Sequence, residues 1–454
     1  MEKILRKILR VPLESPAPDP VFDPDLDLQF ARDLALDHRI TFTRASTATF
    51  VGSNKLIQSA SNNVARFDHD PATGESLGLL IEESRTNHIT ESEDFSGYSK
   101  TQTATSSNEG TAPDGTNNAT KLVEAAGSSF HIIKQVSAFS YASGDTYTHS
   151  AFLKAGTVSV MQLSLPGGAF GSNGFANFDL ANGVLGTVGS SATASIEDFG
   201  NGWFRCVITA TATATSSEAR GTIIFTNNST TAGRLPTYAG DTANHVFIFG
   251  NQLEEASFPT SYIPTSGATA TRAVEAAKIE TSKFRYSEPQ GTFLVEVQTA
   301  EFGSDNPYIY SLNDNTSSNR IFQRIEDGAT TRYTGVSGNT TRWSIATGSV
   351  QTSAAFFKSA TAYLVENIFV ATDGGNTGSA TSAVSPTGLL ELDIGSSRSS
   401  STNRLNGHIK QIQYFARRLD DATLIALSQP SLEPSLSLVF DSSETSFVDT
   451  ELTR

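Results

Sequence analysis

The amino-acid sequence predicts a mainly β protein made of two antiparallel β-sandwiches, with a short helix at its N-terminus. Charged residues make up only 17% of the 454 residues, and Ser, Thr, Gly and Asn are abundant, which is typical of short strands joined by frequent turns. Between these turns, many apolar runs of strand length alternate with period two, so that one face of each would be buried. The length exceeds the roughly 250–300 residues at which a single core stops growing, so more than one domain is expected.

Residues 1–25 are predicted to form an N-terminal anchor peptide and a proline-rich spacer. A helix over residues 1–10 would place four apolar side chains on one face: Ile4, Leu5, Ile8 and Leu9. Such a helix is shorter than the roughly 12–15 residues that hold alone in water, so it either docks onto a partner or frays. The stretch PLESPAPDPVFDPD behind it is a stiff, extended spacer. A disordered terminus is the alternative.

Residues 26–90 are predicted to be a module of short strands, and residues 91–270 an antiparallel sandwich. The sandwich ends in the segment FPTSYIP. Pro259 and Pro264 cannot donate to a central strand ladder and therefore stop pairing, whereas Phe258 and Tyr262 can pack back over the sandwich. The Ser-, Gly-, Ala- and Thr-rich sequence that follows is interpreted as a flexible boundary, with residues 271–284 as a linker.

Residues 285–429 are predicted to form the second sandwich. Its last strand is expected over residues 407–417, followed by a helix over 422–427 with Asp420 or Asp421 as the N-cap. Residues 430–454 are predicted to be a C-terminal tail, with one further strand expected over 435–440. No repeat of fixed period occurs in the chain, which argues against a β-helix.

Several sequence segments resemble known proteins. TFTRASTATF, RFDHDPATGESLGLLIEESRTN and SEDFSGYSK follow one another in residues 41–100 and resemble a module of the virion proteins of tailed bacteriophages, although Tyr98 stands where that family often has Trp. YTHSAFLKAG, FDLANGVLG and DFGNGWFRCVIT resemble a carbohydrate-binding-module-like jelly roll. GTFLVEV and the strand and helix near residue 420 resemble concanavalin- and laminin-G-like sandwiches. The resemblance implies a virion appendage of the tail-fibre or spike type, commonly a homotrimer.

No catalytic motif is present. The sequence lacks a Gly-x-Ser-x-Gly elbow, a phosphate loop and a His-Glu-x-x-His pair, so we expect no enzymatic activity, no cofactor and no metal. The spacing of Asp68 and Asp70 around His69 would suit a metal, but a surface turn before Pro71 is the preferred interpretation. The lone Cys206 cannot form an internal disulfide and lies in a strand-like run, which favours a buried, unreactive thiol.

The net charge of −15 and the absence of a basic stripe beyond the first ten residues exclude a typical nucleic-acid-binding protein. No run of 18 apolar residues occurs, so membrane insertion is not expected, and the N-terminus lacks the apolar region of a secretory signal. The expected location is the phage particle, on the tail or the capsid surface, after synthesis in the host bacterial cytoplasm. The expected partners are other virion proteins, bound through the N-terminus.

The predicted function is that of a non-enzymatic structural protein of a tailed phage, contributing to recognition of host-surface glycans. Trp343 and Tyr333 are candidate stacking faces for sugar rings, beside the polar loops 311–318, 335–342 and 395–403. Core packing is the alternative for Trp343. Two further functions remain open: a decoration or fibre protein attached to the capsid, and a polysaccharide depolymerase, which would require a pair of carboxylates across a groove.

Overall fold

A computed structural model describes residues 23–300, 306–326, 330–348, 355–397 and 403–430. The predicted anchor residues Ile4, Leu5, Ile8 and Leu9 lie outside these ranges, as does the predicted tail apart from Pro430.

Short strands make up most of the secondary structure along the whole described chain. The first part of the chain contains β1 (Leu26–Leu28), α1 (Phe30–Asp33), β2 (Thr41–Thr43), β3 (Ala48–Val51), β4 (Ile57–Ala60), β5 (Phe67–His69), β6 (Ser76–Ile81) and β7 (Arg85–Asn87). The middle part contains β8 (Ser99–Thr101), β9 (Thr103–Ser106), β10 (Thr120–Glu124), β11 (Ser128–Ser129), β12 (Ile132–Tyr141), β13 (Thr146–Ala155), β14 (Val160–Ser164), α2 (Gly167–Phe170), β15 (Phe175–Asp179), β16 (Val184–Val188), β17 (Ala192–Asp198), β18 (Trp203–Thr211), β19 (Ser216–Phe225), β20 (Tyr238–Ala239) and β21 (His245–Glu254). The last part contains β22 (Ala270–Arg272), β23 (Ala276–Glu280), β24 (Gln290–Thr299), β25 (Tyr308–Asn313), β26 (Arg320–Glu326), β27 (Thr330–Ser337), β28 (Thr340–Ala346), β29 (Phe357–Leu364), β30 (Ile368–Thr372), β31 (Asn376–Ala380), β32 (Glu391–Ile394), β33 (Gly407–Phe415) and α3 (Asp421–Leu427).

The middle part folds into the first sandwich. Sheet I has the strand order β17-β18-β13-β21-β10-β9, and sheet II has the order β16-β15-β14-β19-β12-β8. Apolar side chains from both sheets meet in one core, for example Leu153 and Ile248 from sheet I with Met161 and Ile223 from sheet II. The strands pair antiparallel throughout, which confirms the mainly β fold class.

The second sandwich combines strands from both ends of the chain. Sheet III has the order β31-β30-β29-β24-β33-β6-β5, with β1 also paired to β33, and sheet IV has the order β2-β23-β32-β25-β26-β27-β28. Their inner faces share one core, in which Phe293 stacks on Tyr310 with ring centroids 4.4 Å apart. At the end of the sandwich, Asp420 is the N-cap of α3 and accepts a hydrogen bond from the Thr423 amide at 3.0 Å, as the sequence predicts.

This topology corrects two predicted boundaries. Residues 26–90 are not a separate module, because β1, β5 and β6 belong to sheet III and β2 belongs to sheet IV. Residues 271–284 are not a free linker, because β23 pairs with β2 and β32 and β22 pairs with β7. The first sandwich is therefore inserted into the second, between β7 and β22. Long-range strand pairing, which no local pattern reveals, decides this arrangement.

A buried set of charged side chains, which we call the junction network, lies where the two sandwiches meet. Its members are Arg44, Arg66, Arg272, Glu82 and Glu275. Glu275 accepts from Arg44 at 2.8 Å and from Arg66 at 2.6 Å, and all three side chains are fully buried. Arg272 lies 2.9 Å from Glu82. Because a buried charge is tolerated only when it is paired and hydrogen-bonded, these ion pairs fix the arrangement of the segments that carry them.

The exit segment of the first sandwich is held by the same network. The Ser261 hydroxyl donates to Glu82 at 2.7 Å and accepts from Arg272 at 3.0 Å. The next residue, Tyr262, is buried against Phe152 and Phe249 of sheet I. The FPTSYIP segment thus ends the first sandwich and joins it to the second.

Candidate functional site: the cleft between the sandwiches

A cleft of about 940 Å³ lies between the two sandwiches. One wall comes from β17 and the loop after it, the other from β5, β24 and β33, and the exit segment around Pro259 lies between them. The walls carry six carboxylates, Asp68, Asp70, Glu75, Glu82, Glu197 and Glu296, against three permanent cations, Arg205, Lys358 and Lys410. The cleft is large enough for a ligand of several rings.

One wall is organised around Asp68. Its carboxylate accepts from the Val51 amide at 2.6 Å and lies 2.9 Å from Nε2 of His408. The pairing of β6 with both β5 and β33 brings these residues together, although they are 340 positions apart in sequence. Gly78 permits this approach, since its φ is +88° and a Cβ atom there would lie 2.2 Å from the Ile409 carbonyl oxygen.

Next to this pair, an ammonium group lies over an aromatic ring. Lys410 Nζ lies 4.3 Å from the centroid of the Phe356 ring and 2.7 Å from a carboxylate oxygen of Glu75. His408 and Lys410 are alternate residues of β33, so both side chains extend from the same face of the strand. The half-buried Phe356 ring provides an apolar surface within a polar wall.

The innermost cation is Arg205, which is 7% exposed. Its guanidinium donates to the Thr260 carbonyl oxygen at 2.7 Å and to the Ser150 hydroxyl at 3.3 Å, and its central carbon lies 5.7 Å from the centroid of the Phe152 ring. These contacts fix the guanidinium in place, so it forms a rigid part of the cleft.

The opposite wall presents Glu197 from β17, the edge strand of sheet I. The residue is exposed, yet protein surrounds the cleft that it lines. Desolvation raises the pKa of the Glu197 carboxyl, and the charges of Asp68 and Asp70 act in the same direction, whereas Arg205 opposes them. The surroundings of Glu197 therefore favour the protonated form of its carboxyl more than water does.

The arrangement suits a ligand rich in hydroxyl groups. Carboxylates accept hydrogen bonds from hydroxyls, guanidinium and ammonium groups donate to ring and hydroxyl oxygens, and the Phe356 and Pro259 surfaces can cover apolar ring faces. The excess of carboxylates disfavours an anionic ligand in this cleft.

The predicted stacking residues lie elsewhere. Tyr333 is fully buried and Trp343 is 4% exposed, both in the core between sheets III and IV. Their ring centroids are 6.1 Å apart. A sugar ring could reach neither face as the residues are placed, so we do not retain them as stacking residues. Burial on the inner face of β27 and β28 is the physical reason.

Two of the predicted loops, 311–318 and 335–342, meet at one end of sheet IV, whereas the third, 395–403, lies partly outside the described residues. Gly338 donates to the Asn319 side chain and Asn339 donates to the Ser318 carbonyl oxygen, both at 3.0 Å. Parts of 311–318 and 335–342 are strand instead, in β25, β27 and β28. A role for these loops in recognition stays a prediction.

The cleft could not be predicted from the sequence. For Asp68 and Asp70, the sequence favoured a surface turn over a metal site, and no pattern in it singled out Glu197, His408 or Lys410. Alternation in GHIKQIQYF places His408 and Lys410 on one face of a strand, but the facing wall comes from another sandwich.

Within the described residues, no group of three or more His, Cys, Asp or Glu side chains is placed to hold a metal ion. The same residues include no helix with the length and apolar character needed to cross a membrane.

Trp203 and Cys206 both lie in β18, and Cys206 is buried there as its strand-like run predicts. Trp203 is 2% exposed, and its indole donates to the Thr111 carbonyl oxygen at 3.0 Å. Cys206 is fully buried, and burial raises the pKa of its thiol, which disfavours the reactive thiolate.

No protein-family model and no curated protein matches the chain. Among solved structures, it is similar to the CBM40 carbohydrate-binding module of the Ruminococcus gnavus IT-sialidase, bound to α2,3 sialyllactose, with 13% identity and a TM-score of 0.29 over 32% of this chain and 84% of that chain. Domain 4 of AbnA, a GH43 extracellular arabinanase from Geobacillus stearothermophilus, in complex with arabinotriose, matches with 12% identity and a TM-score of 0.28 over 38% of this chain and 82% of that one.

The LG1–3 region of the laminin alpha2 chain matches over a longer part, 64% of this chain and 66% of that chain, with 10% identity and a TM-score of 0.24. Likenesses at these identities and TM-scores carry no argument about what this chain binds. The antiparallel strand pairing of its four large sheets establishes its fold class by itself.

Proposed function

We propose that this protein is a non-enzymatic structural protein of a tailed-phage particle, of the tail-fibre or spike type, which binds host-surface glycans in the cleft between its sandwiches. The observation that carries glycan binding is the cleft itself, with its carboxylates, fixed Arg205 guanidinium and half-buried Phe356 ring. The resemblance of the N-terminal segments to phage virion proteins supports the particle assignment.

The sequence motifs that carry this resemblance contribute residues to the junction network, which is structural. The resemblance therefore says little about the ligand. TFTRAST contributes Arg44, RFDHD contributes Arg66, and LIEE contributes Glu82 to the junction network. These residues fix how the two sandwiches are joined. The resemblance therefore supports a shared architecture and a shared kind of particle, and it leaves the ligand to be argued from the cleft.

Glycan binding is tested by titrating the whole protein with neutral polysaccharides from host cell surfaces and measuring the heat of binding. The single variants Phe356→Ala and Glu197→Gln are each expected to weaken glycan binding by about fivefold or more, since each removes ~1 kcal/mol or more of contact with the ligand. Glu255→Gln is the matched control, because Glu255 is an exposed acid outside the cleft. Equal affinities for the cleft variants and this control would contradict the assignment of the site.

The particle assignment is tested separately. Deletion of residues 1–20 is expected to leave a folded protein that fails to join phage particles, because the amphipathic face of Ile4, Leu5, Ile8 and Leu9 is the proposed anchor. Normal incorporation of the deletion would reject the anchor. A map of the whole particle would distinguish a tail position from a capsid position.

We also propose a homotrimer. Sheets I and IV end in edge strands, β17 and β28, whose unpaired backbone groups a second chain can cover. Light scattering at micromolar concentration measures the mass of the particle-free protein. The trimer would be rejected if the particle-free protein and the protein in the assembled particle are both monomers.

A polysaccharide depolymerase is the second candidate, and one observation favours it. Glu197 has a raised pKa and faces Asp68 and Asp70 across the cleft, and a carboxylic acid opposite a carboxylate is the arrangement that glycoside hydrolysis uses. New reducing ends released from host polysaccharide, and lost in Glu197→Gln, would establish this activity. Binding without release would leave the non-enzymatic function.

A further inference from the structure

The outer face of sheet IV carries a row of arginines that the cleft does not use. Alternation along β26 and β27 places Arg320, Phe322, Arg324 and Arg332 on the face opposite the core, because Ile321, Ile325 and Tyr333 point inward. Arg324 lies directly opposite Arg332 in the strand pair. We call these four residues the arginine face.

The guanidinium groups of this face are held in place by an aromatic side chain. The central carbon of Arg320 lies 4.5 Å from the centroid of the Phe322 ring, and that of Arg324 lies 5.7 Å from it. Tyr308 packs against the same ring, with centroids 5.1 Å apart. Contacts of this kind reduce the entropy that an arginine loses when it binds a ligand.

The arginine face is short of negative charge. Glu326 pairs with both Arg324 and Arg332, so one carboxylate is shared by two guanidinium groups. The hydrogen bond that Arg320 makes is to the Tyr308 hydroxyl, at 3.5 Å. Strands β26 to β28 carry four arginines and one acidic residue, Glu326, and the carboxylates of β32 on the same face, Glu391 and Asp393, are each 6% exposed. A local excess of positive charge of this kind attracts an anion.

Hydroxyl groups lie next to the guanidinium groups. Arg332 donates to the Ser344 hydroxyl at 3.1 Å, and that hydroxyl lies 3.3 Å from the hydroxyl of Thr334. Ser344 is exposed, and the side chains of Arg324 and Arg332 are 28% and 30% exposed. The face therefore offers fixed cations and neutral hydrogen-bonding groups together on an open sheet.

We propose that the arginine face is a second binding site, for an acidic polysaccharide that carries carboxylate or sulfate groups. A planar guanidinium donates two parallel hydrogen bonds to a carboxylate or sulfate, and the neighbouring hydroxyl groups match the uncharged part of a sugar. This site is separate from the cleft and depends neither on the cleft's ligand nor on the kind of particle.

A nucleic acid fits this face less well. Duplex DNA carries one negative charge per roughly 1.7 Å of its axis, so the net charge of −15 repels it more than it repels a polysaccharide with one anion per sugar or fewer. Proteins that bind single strands also offer exposed aromatic rings for base stacking, whereas Phe322 and Tyr308 are 3% and 6% exposed.

The test measures binding of the whole protein to hyaluronate, to chondroitin sulfate and to uncharged dextran, at about 50 mM and 300 mM salt. We expect binding of at least one anionic polymer, no binding of dextran, and a loss of affinity at high salt because exposed charges are screened. The double variant Arg320→Gln, Arg332→Gln should weaken binding about tenfold or more. Glu326→Gln should strengthen it, because this variant removes the shared carboxylate.

Two controls separate the outcomes. Arg285→Gln removes an exposed arginine, with an 83% exposed side chain, that lies outside the face, and it should leave binding unchanged. Glu197→Gln with Phe356→Ala should also leave it unchanged, so failure of the cleft proposal does not affect this one. No binding of either anionic polymer by the folded protein, an equal loss in Arg285→Gln, or tighter binding of DNA through the same arginines would overturn the proposal.

Discussion

Carboxylates gather in two adjoining regions of this molecule, and their surroundings give them opposite properties. In the junction network, Glu275 is fully buried and accepts hydrogen bonds from two arginines. In the cleft, Glu197 is exposed, belongs to none of the ion pairs of the junction network, and has a raised pKa. RFDHD contributes to both regions, since Arg66 is in the network and Asp68 lines the cleft.

The comparison shows that burial and pairing, rather than residue type, separate a structural charge from a functional one. A buried ion pair that loses one member leaves an uncompensated charge away from water, which is costly. Glu197 in the cleft belongs to none of the ion pairs of the junction network, so its replacement leaves no buried partner charge unpaired and costs little stability. Substitutions in the two regions test this contrast.

Replacing Glu275 by Gln should have the largest effect. The variant leaves Arg44 and Arg66 without the carboxylate that accepts from both, so the free energy of unfolding should fall by about 3–5 kcal/mol. Denaturant unfolding measures this. Glu280→Gln is the matched control at an exposed pair with Lys283, and it should change stability by ~0.5 kcal/mol or less. Similar losses in both variants would contradict the contrast.

Replacing Gly78 by Ala should affect both regions together. Its positive φ and the closeness of the Ile409 carbonyl oxygen leave no room for a Cβ atom, so β6 must shift against β33. We expect a loss of roughly 2–3 kcal/mol of stability, with weaker glycan binding because Asp68 and His408 separate. Gly144→Ala, also at a positive φ but with open space around it, should cost less and leave binding unchanged. Normal glycan binding by Gly78→Ala would contradict the prediction that a shift of β6 against β33 disturbs the cleft.

The pH dependence of stability should have opposite signs at two buried carboxylates. Arg272 and Arg66 hold the pKa of Glu82 well below its usual value despite the desolvation that burial causes. Because the folded-state pKa is depressed, Glu82 contributes stability above pH ~4.5 that is lost as the pH falls below it.

At Asp393, desolvation and then the charge of Glu391 raise the pKa from 3.8 to about 6. The folded state therefore binds the proton more tightly than the unfolded state does. Between pH 4 and 6, this group makes the protein more stable as the pH falls, by on the order of 2 kcal/mol.

Unfolding free energies measured from pH 2 to 8 would check both signs, because the Glu82 effect lies below pH ~4.5 and the Asp393 effect lies between pH 4 and 6. Asp393→Asn should remove the gain in stability on acidification, while Glu82→Gln should remove part of the loss below pH ~4.5. Asp420→Asn is a control at an exposed carboxyl that caps α3. Profiles of the same shape for the wild type and Asp393→Asn would reject the raised pKa.

The smallest expected effect is that of Glu197→Gln on stability. Since Glu197 is exposed, the variant should unfold within ~0.5 kcal/mol of the wild type, while its affinity for a cleft ligand falls. Calorimetry of unfolding and of binding on the same samples measures the two effects. A large loss of stability without a change in affinity would place Glu197 with the structural charges.

The local elements and the fold class could be predicted from the sequence. Alternating apolar residues specify strands because every second side chain faces the core, and Asp420 marks the start of α3 because its side chain accepts from an orphan amide of the first turn. Pro259 and Pro264 stop the last strand of the first sandwich because proline lacks the amide hydrogen that a ladder requires. The burial of Trp203 and Cys206 follows from the same strand pattern.

Which strands share a sheet, and therefore where both sites lie, depends on long-range contacts that the sequence does not reveal. The pairing of β1, β5 and β6 within sheet III joins residues more than 300 positions apart, and no local pattern encodes that distance. Long-range pairing also explains why part of the predicted linker forms β23 and why Asp68 lies beside His408. Packing of sheet IV against sheet III buries Trp343 and Tyr333 in the core. The physical reason is that backbone hydrogen bonds and core packing form wherever distant segments meet, so the surroundings of a charge depend on the whole fold.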